Sequence, residues 1–589
     1  MPAESLKRKG SESAAAAAVD KKHKVSNDSN SGNANAGQPK GSAESRAEQK
    51  RLRIERRGHK PSEEIMQKAK KVWEKLRRAD LNKDKAAKNI VMDEMMQVLD
   101  GRIQELILRH DASRVIQTCL KQGNAEHRNE IAKQLTGSYE KLSKSTYGKF
   151  LVTKIIEYCP QYRQTVLEEL RHHVRTLIRH KEASTVIESF FVQYSTAAQR
   201  FALLSEFFGP EVTLFGDKSK EQPKSLKELV EAKPERREAI IKYLGDTLKG
   251  TVDKGTIQHS IVHKALLEYF LNADEKDCVE MMEMLKESIA EIVHTKEGSR
   301  VAMLCISYGK PKDRKEMVRA LKPFLEKVAT DEFGHMVLLR VFDVVDDTVL
   351  VSKTILAELL KTNADPDNDT LGKMIHDKYG RRVILYLLVG RNGRYLSHDS
   401  IQLLAEGDDI RSKTSKKDPQ LRFNELKAYV SQPLLSYCTS HLNILIRSNL
   451  PGQVVTETIL HADGDKDAIL LAILDCCAQS PEEGGEEHII EAVPRVIATI
   501  VKADTAAKED RRADQPLNFA PRLLQTIEPN LLHFATCKGS FVVVALAEEP
   551  STREQVLEAL KPHKKALEEL ADEKGELKGA SILLGMIRQ

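Results

Sequence analysis

Aromatic residues are scarce in this chain, 5% of 589 residues with a single tryptophan, Trp73. A β-sandwich or barrel of this length would draw on far more aromatic side chains, whereas 30% charged residues and 41% apolar ones suit an array of short amphipathic helices. No run of eighteen apolar residues occurs and no secretory signal is recognisable, so the chain reads as soluble and intracellular, with no membrane partner. The eight cysteines (119, 159, 278, 305, 438, 476, 477 and 537) show no CxxC spacing, which argues against a zinc or disulfide framework and for reduced, buried thiols. No phosphate-binding glycine loop, HExxH pair, nucleophile elbow or paired-acid motif is present, so neither catalysis nor a cofactor or metal is expected. Asp365, Asp367 and Asp369 alternate as in a calcium loop but lack its glycine and its closing glutamate. Asp475-Cys476-Cys477 near His488 reads as the end of an apolar helix rather than a nucleophile site.

What the chain does have is a pattern that returns at a spacing near 36 residues, first as HDASRVIQTCL at His110 to Leu120. Its core is an apolar quartet at i, i+1, i+4 and i+5, the buried stripe of one short helix. The copies are Val115, Ile116, Cys119, Leu120; Leu151, Val152, Ile155, Ile156; Val186, Ile187, Phe190, Phe191; Ile261, Val262, Ala265, Leu266; Val301, Ala302, Cys305, Ile306; Val337, Leu338, Val341, Phe342; and Val383, Ile384, Leu387, Leu388. First members step by 36, 35, 75, 40, 36 and 46 residues, so the long step of 75 predicts a degenerate copy between about 200 and 250. Two more quartets, Val542, Val543, Leu546, Ala547 and Ile582, Leu583, Met586, Ile587, stand 40 apart near the C-terminus.

Three positions before most quartets sits a small residue: Ala112, Gly148, Ala183, Gly298, Gly334, Gly380, Gly539 and Gly579. It lets the helix start close against its neighbour. The two residues after it, and the one following the quartet's first pair, project away from the buried stripe and are predicted to be exposed. In the first copy these are Ser113, Arg114 and Gln117.

Residues 1–45 hold almost no large apolar side chains and are expected to be a disordered basic tail. The clusters Lys7, Arg8, Lys9 and Lys21, Lys22, Lys24 match a bipartite nuclear-import signal. From Arg46 to Ile90 there are sixteen Lys or Arg against seven Asp or Glu, a surplus larger than the net charge of +5 of the whole chain. Ile65, Val72, Trp73 and Leu76 can line one side of a helix there, which leaves Lys70, Lys71, Arg77 and Arg78 to meet phosphates, with Arg51, Arg53, Arg56 and Arg57 as a second cluster. Trp73 is expected to dock on the first repeat. Residues 209–224 and 361–370 read as polar loops, and after residue 390 the period lapses through a basic loop at 407–419 and helical patterns at 424–437, 453–460, 468–477 and 489–501.

Helices of the type ASRVIQ at a 36-residue period, with an outward Ser-Arg-xx-Gln triplet, resemble Puf (pumilio-homology) repeats. Repeats, an irregular helical segment and further repeats are similar to the Puf-A or penguin-like branch with its CPL region. The resemblance implies an all-α, right-handed superhelical solenoid in two repeat blocks: a basic helical segment at 46–92, an N-terminal block at 93–390, a CPL-type region at 391–525 and C-terminal degenerate repeats at 526–589. It also implies that each triplet meets one RNA base. By that resemblance Ser113, Arg114 and Gln117 fit an adenine reader, and Ser184, Thr185 and Glu188 a guanine reader. The other copies do not fit the code: Lys149, Phe150, Thr153; His259, Ser260, His263; Ser299, Arg300, Met303; His335, Met336, Leu339; Arg381, Arg382, Leu385. Met303, Leu339 and Leu385 offer a base edge nothing, while Lys149, Lys154, Arg300, Arg381 and Arg382 suit phosphates. The expectation is therefore a monomeric, nucleolar RNA-binding protein that clamps ribosomal RNA with little sequence preference, among large-subunit precursor particles and their assembly factors. Its alternatives are an mRNA-binding translational regulator with a partial code, and a protein-binding scaffold.

Overall fold

The computed structural model describes residues 63–78, 84–210, 212, 225–232, 234–479, 487–505, 517–568 and 578–588. The import-signal clusters, Arg51 to Arg57 and nearly all of the loop at 209–224 lie outside the described residues. The chain divides into two compact units, residues 1–67 and 68–589. Of the first, only Glu63–Gln67 are described, the opening of helix α1 (Glu63–Leu76), whose first turn is acidic. In the second, every regular element among the described residues is a helix.

Eleven of these helices, among the described residues, form one row in which each packs against the next: α2 (His110–Gln122), α3 (Gly148–Tyr158), α4 (Ala183–Ser189, continued by a π turn at Phe190–Tyr194), α5 (Ser260–Asn272), α6 (Lys296–Tyr308), α7 (Gly334–Val344), α8 (Gly380–Val389), α9 (Asn449–His461), α10 (Pro494–Thr505), α11 (Ser540–Glu548) and α12 (Lys578–Arg588). The quartets of α2 to α8 and of α11 are their buried stripes, Cys119 and Cys305, for example, being fully buried within them. In α12 the expected quartet is corrected, since Ile582 is exposed and Met586 and Ile587 are half-buried, the buried residues being Gly579, Ala580, Leu583 and Leu584. A typical unit packs a short helix such as Tyr139–Ser143 and an outer helix such as Arg163–Leu170 against its row helix. No unit can cover its own apolar face alone, so the stacking is what stabilises the fold. Trp73 does dock on the first unit: its Nε1–H donates to Thr118 Oγ1 at 2.9 Å, and the Arg77 guanidinium lies over its ring.

The last carbonyls of a row helix have no partner within the helix. In unit after unit a side chain from the outer helix supplies one, and its target is the last residue of the quartet. Arg128 Nε donates to Leu120 O, Arg163 Nε to Ile156 O, Arg200 Nε to Phe191 O and Arg314 Nε to Ile306 O, all at 2.8–2.9 Å. Lys466 does the same for Leu460 O in α9. A cation at this end also meets the negative pole of the helix. Arg314 is 2% exposed and reaches Ser307 O, Val344 O and Thr414 Oγ1 as well, tying two units together.

The small residue ahead of each quartet has a steric cause. A Cβ on Gly334 would stand 2.8 Å from Val328 O, and one on Gly148 2.6 Å from Leu142 O, each the carbonyl six residues earlier where the short helix ends.

Three further expectations are corrected. Among the described residues no row helix fills the step of 75: Glu188 of α4 accepts from Ser260 N and Oγ at the start of α5, so these two are direct neighbours. The described part of the intervening segment instead forms outer helix Ala197–Leu204, Leu226–Ala232 and a sixteen-residue helix, Arg237–Val252, whose Ile240, Ile241, Leu244 and Leu248 are buried. The period that lapses after residue 390 is continued in space by α9 and α10, which join the two blocks into one row. In α9 the quartet is Val455, Thr456, Ile459, Leu460 with Gly452 three residues ahead, so one polar member hid it. Finally, residues 391–418 are an insertion between α8 and its outer helix Pro419–Ser440, and the expected loop at 407–419 contains the helix Asp408–Thr414.

Replacing Arg314 with Met leaves buried carbonyls of α6 and α7 without donors, and is expected to lower unfolding free energy by about 3–5 kcal/mol, measured by urea titration. Gly334→Val, which forces a side chain against a backbone carbonyl, should cost about 1–3 kcal/mol in the same assay. Gly393→Ala, whose Cβ would meet open space, should change it by less than about 0.5 kcal/mol.

Candidate nucleic-acid interface

The predicted readers are distributed very unevenly between solvent and protein. In the first unit Arg114 is exposed, but Ser113 is buried and donates to Tyr147 O at 2.9 Å, while half-buried Gln117 donates Nε2–H to Ser113 Oγ at 3.0 Å. In the second, Phe150 is 49% exposed with the Lys149 ammonium 5.0 Å from its ring centre, Lys149 pairing also with Glu182 at 2.7 Å. Thr153 and Lys154 beside them are half-buried. In the third, Thr185 is exposed, Ser184 is buried against Lys181 O, and Glu188 is engaged by Ser260.

From the fourth unit on, the expected exposure fails. His259, His263, Ser299, Met303, His335, Met336, Leu339, Arg381 and Leu385 are all buried. Their polar groups find partners inside the protein, some across to the next unit and some within their own. His263 Nδ1 lies 2.7 Å from Thr295 Oγ1 at the start of α6 and Arg381 bonds Gln453 of α9, while Ser299 Oγ donates to Lys296 O of its own helix and His335 Nδ1 meets Asp331 O four residues earlier. Burial pushes the His263 imidazole down to about 3, helped by His294, and the His335 imidazole down to about 4; His259 is lowered too, again by burial. None of the three is a cation at neutral pH.

The insertion 391–418 accounts for the rest. Its helices His398–Ala405 and Asp408–Thr414 lie over the reader side of α6 and α7. Arg300 makes a bidentate pair with Glu406, at 2.7 and 2.9 Å, and Arg340, 1% exposed, bonds Leu404 O and Asp408. Arg391 bridges Asp343 and Asp408, Thr414 Oγ1 donates to Ser307 O at 2.7 Å, and Tyr395 and Arg394 reach Glu457, a reader position of α9. Met303 and Leu339 are thus apolar in keeping with their burial. Arg382 is half-buried, its guanidinium 5.5 Å from the centre of the Tyr379 ring.

What remains open among the described predicted residues is Arg114, Phe150 and Thr185 on the row, with Lys71 exposed on α1 and Arg77 and Arg78 exposed just after it. Lys70 is half-buried in a pair with Asp111 at 2.6 Å. Partial burial of Asp111 opposes its ionisation, but Lys70 and Arg109 outweigh that and hold its carboxyl at about 2. All eight cysteines are free thiols and seven are buried; burial pushes Cys119 up to about 12, so it is no nucleophile at neutral pH. No helix among the described residues is long and apolar enough to cross a membrane.

Sequence reasoning missed the reader positions of α9 to α11, chiefly Gln453, Arg495, Thr499, Ser540 and Phe541. Gly452 and Pro494, three residues ahead of Val455 and Ile497, were the signals that would have set their register.

A row of helix triads whose exposed side carries cations and the open ring of Phe150 defines an α-helical repeat protein of the polynucleotide-binding kind. The Pumilio-family RNA binding repeat model matches residues 112–136, and the CPL (NUC119) domain model residues 376–513. Pumilio homology domain family member 6 of Schizosaccharomyces pombe is 35% identical over 552 residues, covering 92% of this chain and 83% of that protein; human Pumilio homolog 3 is 32% identical over 534 residues, covering 89% and 80%. The crystal structure of human Puf-A superposes with a TM-score of 0.80 at 32% identity, covering 89% of this chain and 99% of that one, and human Puf-A in complex with DNA gives 0.79 at 31%, covering 89% and 100%. The chain belongs to the Puf-A branch of the Puf (pumilio-homology) repeat family.

The unfolded chain takes up a proton on histidine near pH 6.5, while the fold holds His263 and His335 neutral down to about 3 and about 4. Stability is therefore expected to fall as the pH drops below about 6.5, each histidine contributing a loss of roughly 2 kcal/mol by pH 5. Urea midpoints at pH 7 and pH 5 measure this, and the His263→Gln variant should show a weaker dependence.

Proposed function

We propose that this protein is an RNA-binding assembly factor that clamps structured ribosomal RNA with little sequence preference while the large ribosomal subunit matures in the nucleolus. The observation that carries this reading is the fate of the readers: their hydrogen-bonding groups are mostly engaged within the protein, while Lys71, Arg77, Arg78, Arg114 and Phe150 stay open. Side chains already engaged within the fold are poorly placed to distinguish one base from another, whereas cations and a ring face serve any sequence. Human Puf-A has been crystallised in complex with DNA, which supports recognition that does not depend on the ribose 2′-hydroxyl. The basic tail with its import-signal clusters at 7–24 supports a nuclear address.

Affinity for random single-stranded RNA, structured RNA and DNA across a salt series tests this. Similar affinities and a steep salt slope are expected, with no enriched motif on selection. Combining Lys71→Glu, Arg77→Glu and Arg78→Glu should flatten the log–log slope by about 2. A tight, salt-insensitive complex with one short motif would refute the reading and favour an mRNA regulator.

A further inference from the structure

Beyond the insertion, the reader side of the row opens again. Across α9, α10 and α11 runs a groove of about 850 Å³, walled at one end by Arg394 and Tyr395 of the insertion. It gathers the reader positions of three successive units: Gln453 from α9, Arg495 and Thr499 from α10, Ser540 and Phe541 from α11. Phe541 holds the same place relative to its quartet as Phe150 does in the second unit, and the two are similarly open, 47% and 49% exposed. An exposed phenyl ring in a groove gives up favourable burial unless a flat partner covers it.

The charge around the ring is unequal. Arg495 is exposed and Lys578 lines the same groove; neither has a carboxylate partner among the described residues. Lys538 is exposed, and its pair with Glu487 at 2.5 Å is of the surface kind that a phosphate readily displaces. The second carboxylate of the groove, Glu491, faces His533 at 3.0 Å. An open ring and surplus cations gathered in one groove fit a flexible polyanion that carries flat rings.

We propose that this groove is a second binding site of the chain, taking single-stranded RNA with a base stacked on Phe541 and phosphates met by Arg495, Lys538 and Lys578. The proposal rests on the polynucleotide-binding reading above and adds to it a location remote in sequence from Arg114 and Phe150. It also assigns the insertion a role, as the divider between two open stretches of one row.

The test uses the full chain carrying Lys71→Glu, Arg77→Glu and Arg78→Glu, which weakens the N-terminal contacts, and a labelled oligouridine. Adding Phe541→Ala is expected to lower affinity between about five- and a hundredfold, Arg495→Glu to lower it as well, and Phe541→Trp to keep it. Because both side chains are exposed, melting temperatures should not move. If both groove variants bind as their parent does while the wild-type chain still binds RNA, the groove proposal is overturned and the general reading stands. If the wild-type chain binds no RNA at all, both fall. If the variants leave oligouridine untouched but abolish capture of polyglutamate, the groove serves an acidic protein segment and the proposal is likewise overturned.

Discussion

A row helix ends in carbonyls that the helix itself cannot satisfy, and those capped in this protein are partly or fully buried. The answer recurs along the chain: a cation from the outer helix, Arg128, Arg163, Arg200, Arg314 or Lys466, donates to the carbonyl of the last quartet residue. One bond of this type fastens the outer helix to its row helix while the quartet is buried against the neighbouring units. Apolar burial supplies the driving force, but it is non-directional; the donor–carbonyl bond sets where the outer helix sits. The glycines ahead of the quartets complete the unit by letting the row helix begin against the end of the short one.

The same geometry limits what the row can offer to a ligand. A reader residue beside the interface between units has a neighbour's backbone within reach, as Ser113 has Tyr147 O and Glu188 has Ser260. Such a residue contributes to stacking the solenoid and is then poorly placed to select a base. Across α6 and α7 the insertion 391–418 goes further and replaces any external ligand with helices of the chain itself. The ion pairs it forms, Arg300 with Glu406 and Arg391 with Asp343 and Asp408, use the groups that would otherwise have attracted phosphate.

On the reading proposed above, recognition falls to the two stretches of the row that the insertion leaves open and to the basic residues of α1 and just after it. There the available chemistry is charge plus an aromatic ring, at Arg114 and Phe150 in one stretch and at Arg495 and Phe541 in the other. Both forces act on any polynucleotide. Charge neutralisation weakens with salt, and stacking tolerates every base because every base has a flat face. Under the proposed reading, such a protein would hold RNA by its course and charge.

The period, the quartets, the small residue ahead of them and the all-α repeat architecture were legible in the sequence, because each is a local regularity that a helix imposes on residues three to seven apart. Family membership followed from the same residues. So did the docking of Trp73, since an amphipathic helix directly before the first unit has little else to cover. The status of the readers was not legible. That Ser113 faces Tyr147, that Arg300 meets Glu406 106 residues away, and that Arg314 meets Thr414 100 residues away are products of the stacked row and its insertion. The continuation of the row through α9 and α10 was equally hidden, one quartet broken by Thr456 and one helix opened by Pro494, because packing tolerates a single polar or irregular member that a pattern does not. Sequence periodicity determines which face of a helix is buried; which part of the remaining face stays open to a ligand is decided by neighbours that only the folded chain brings together.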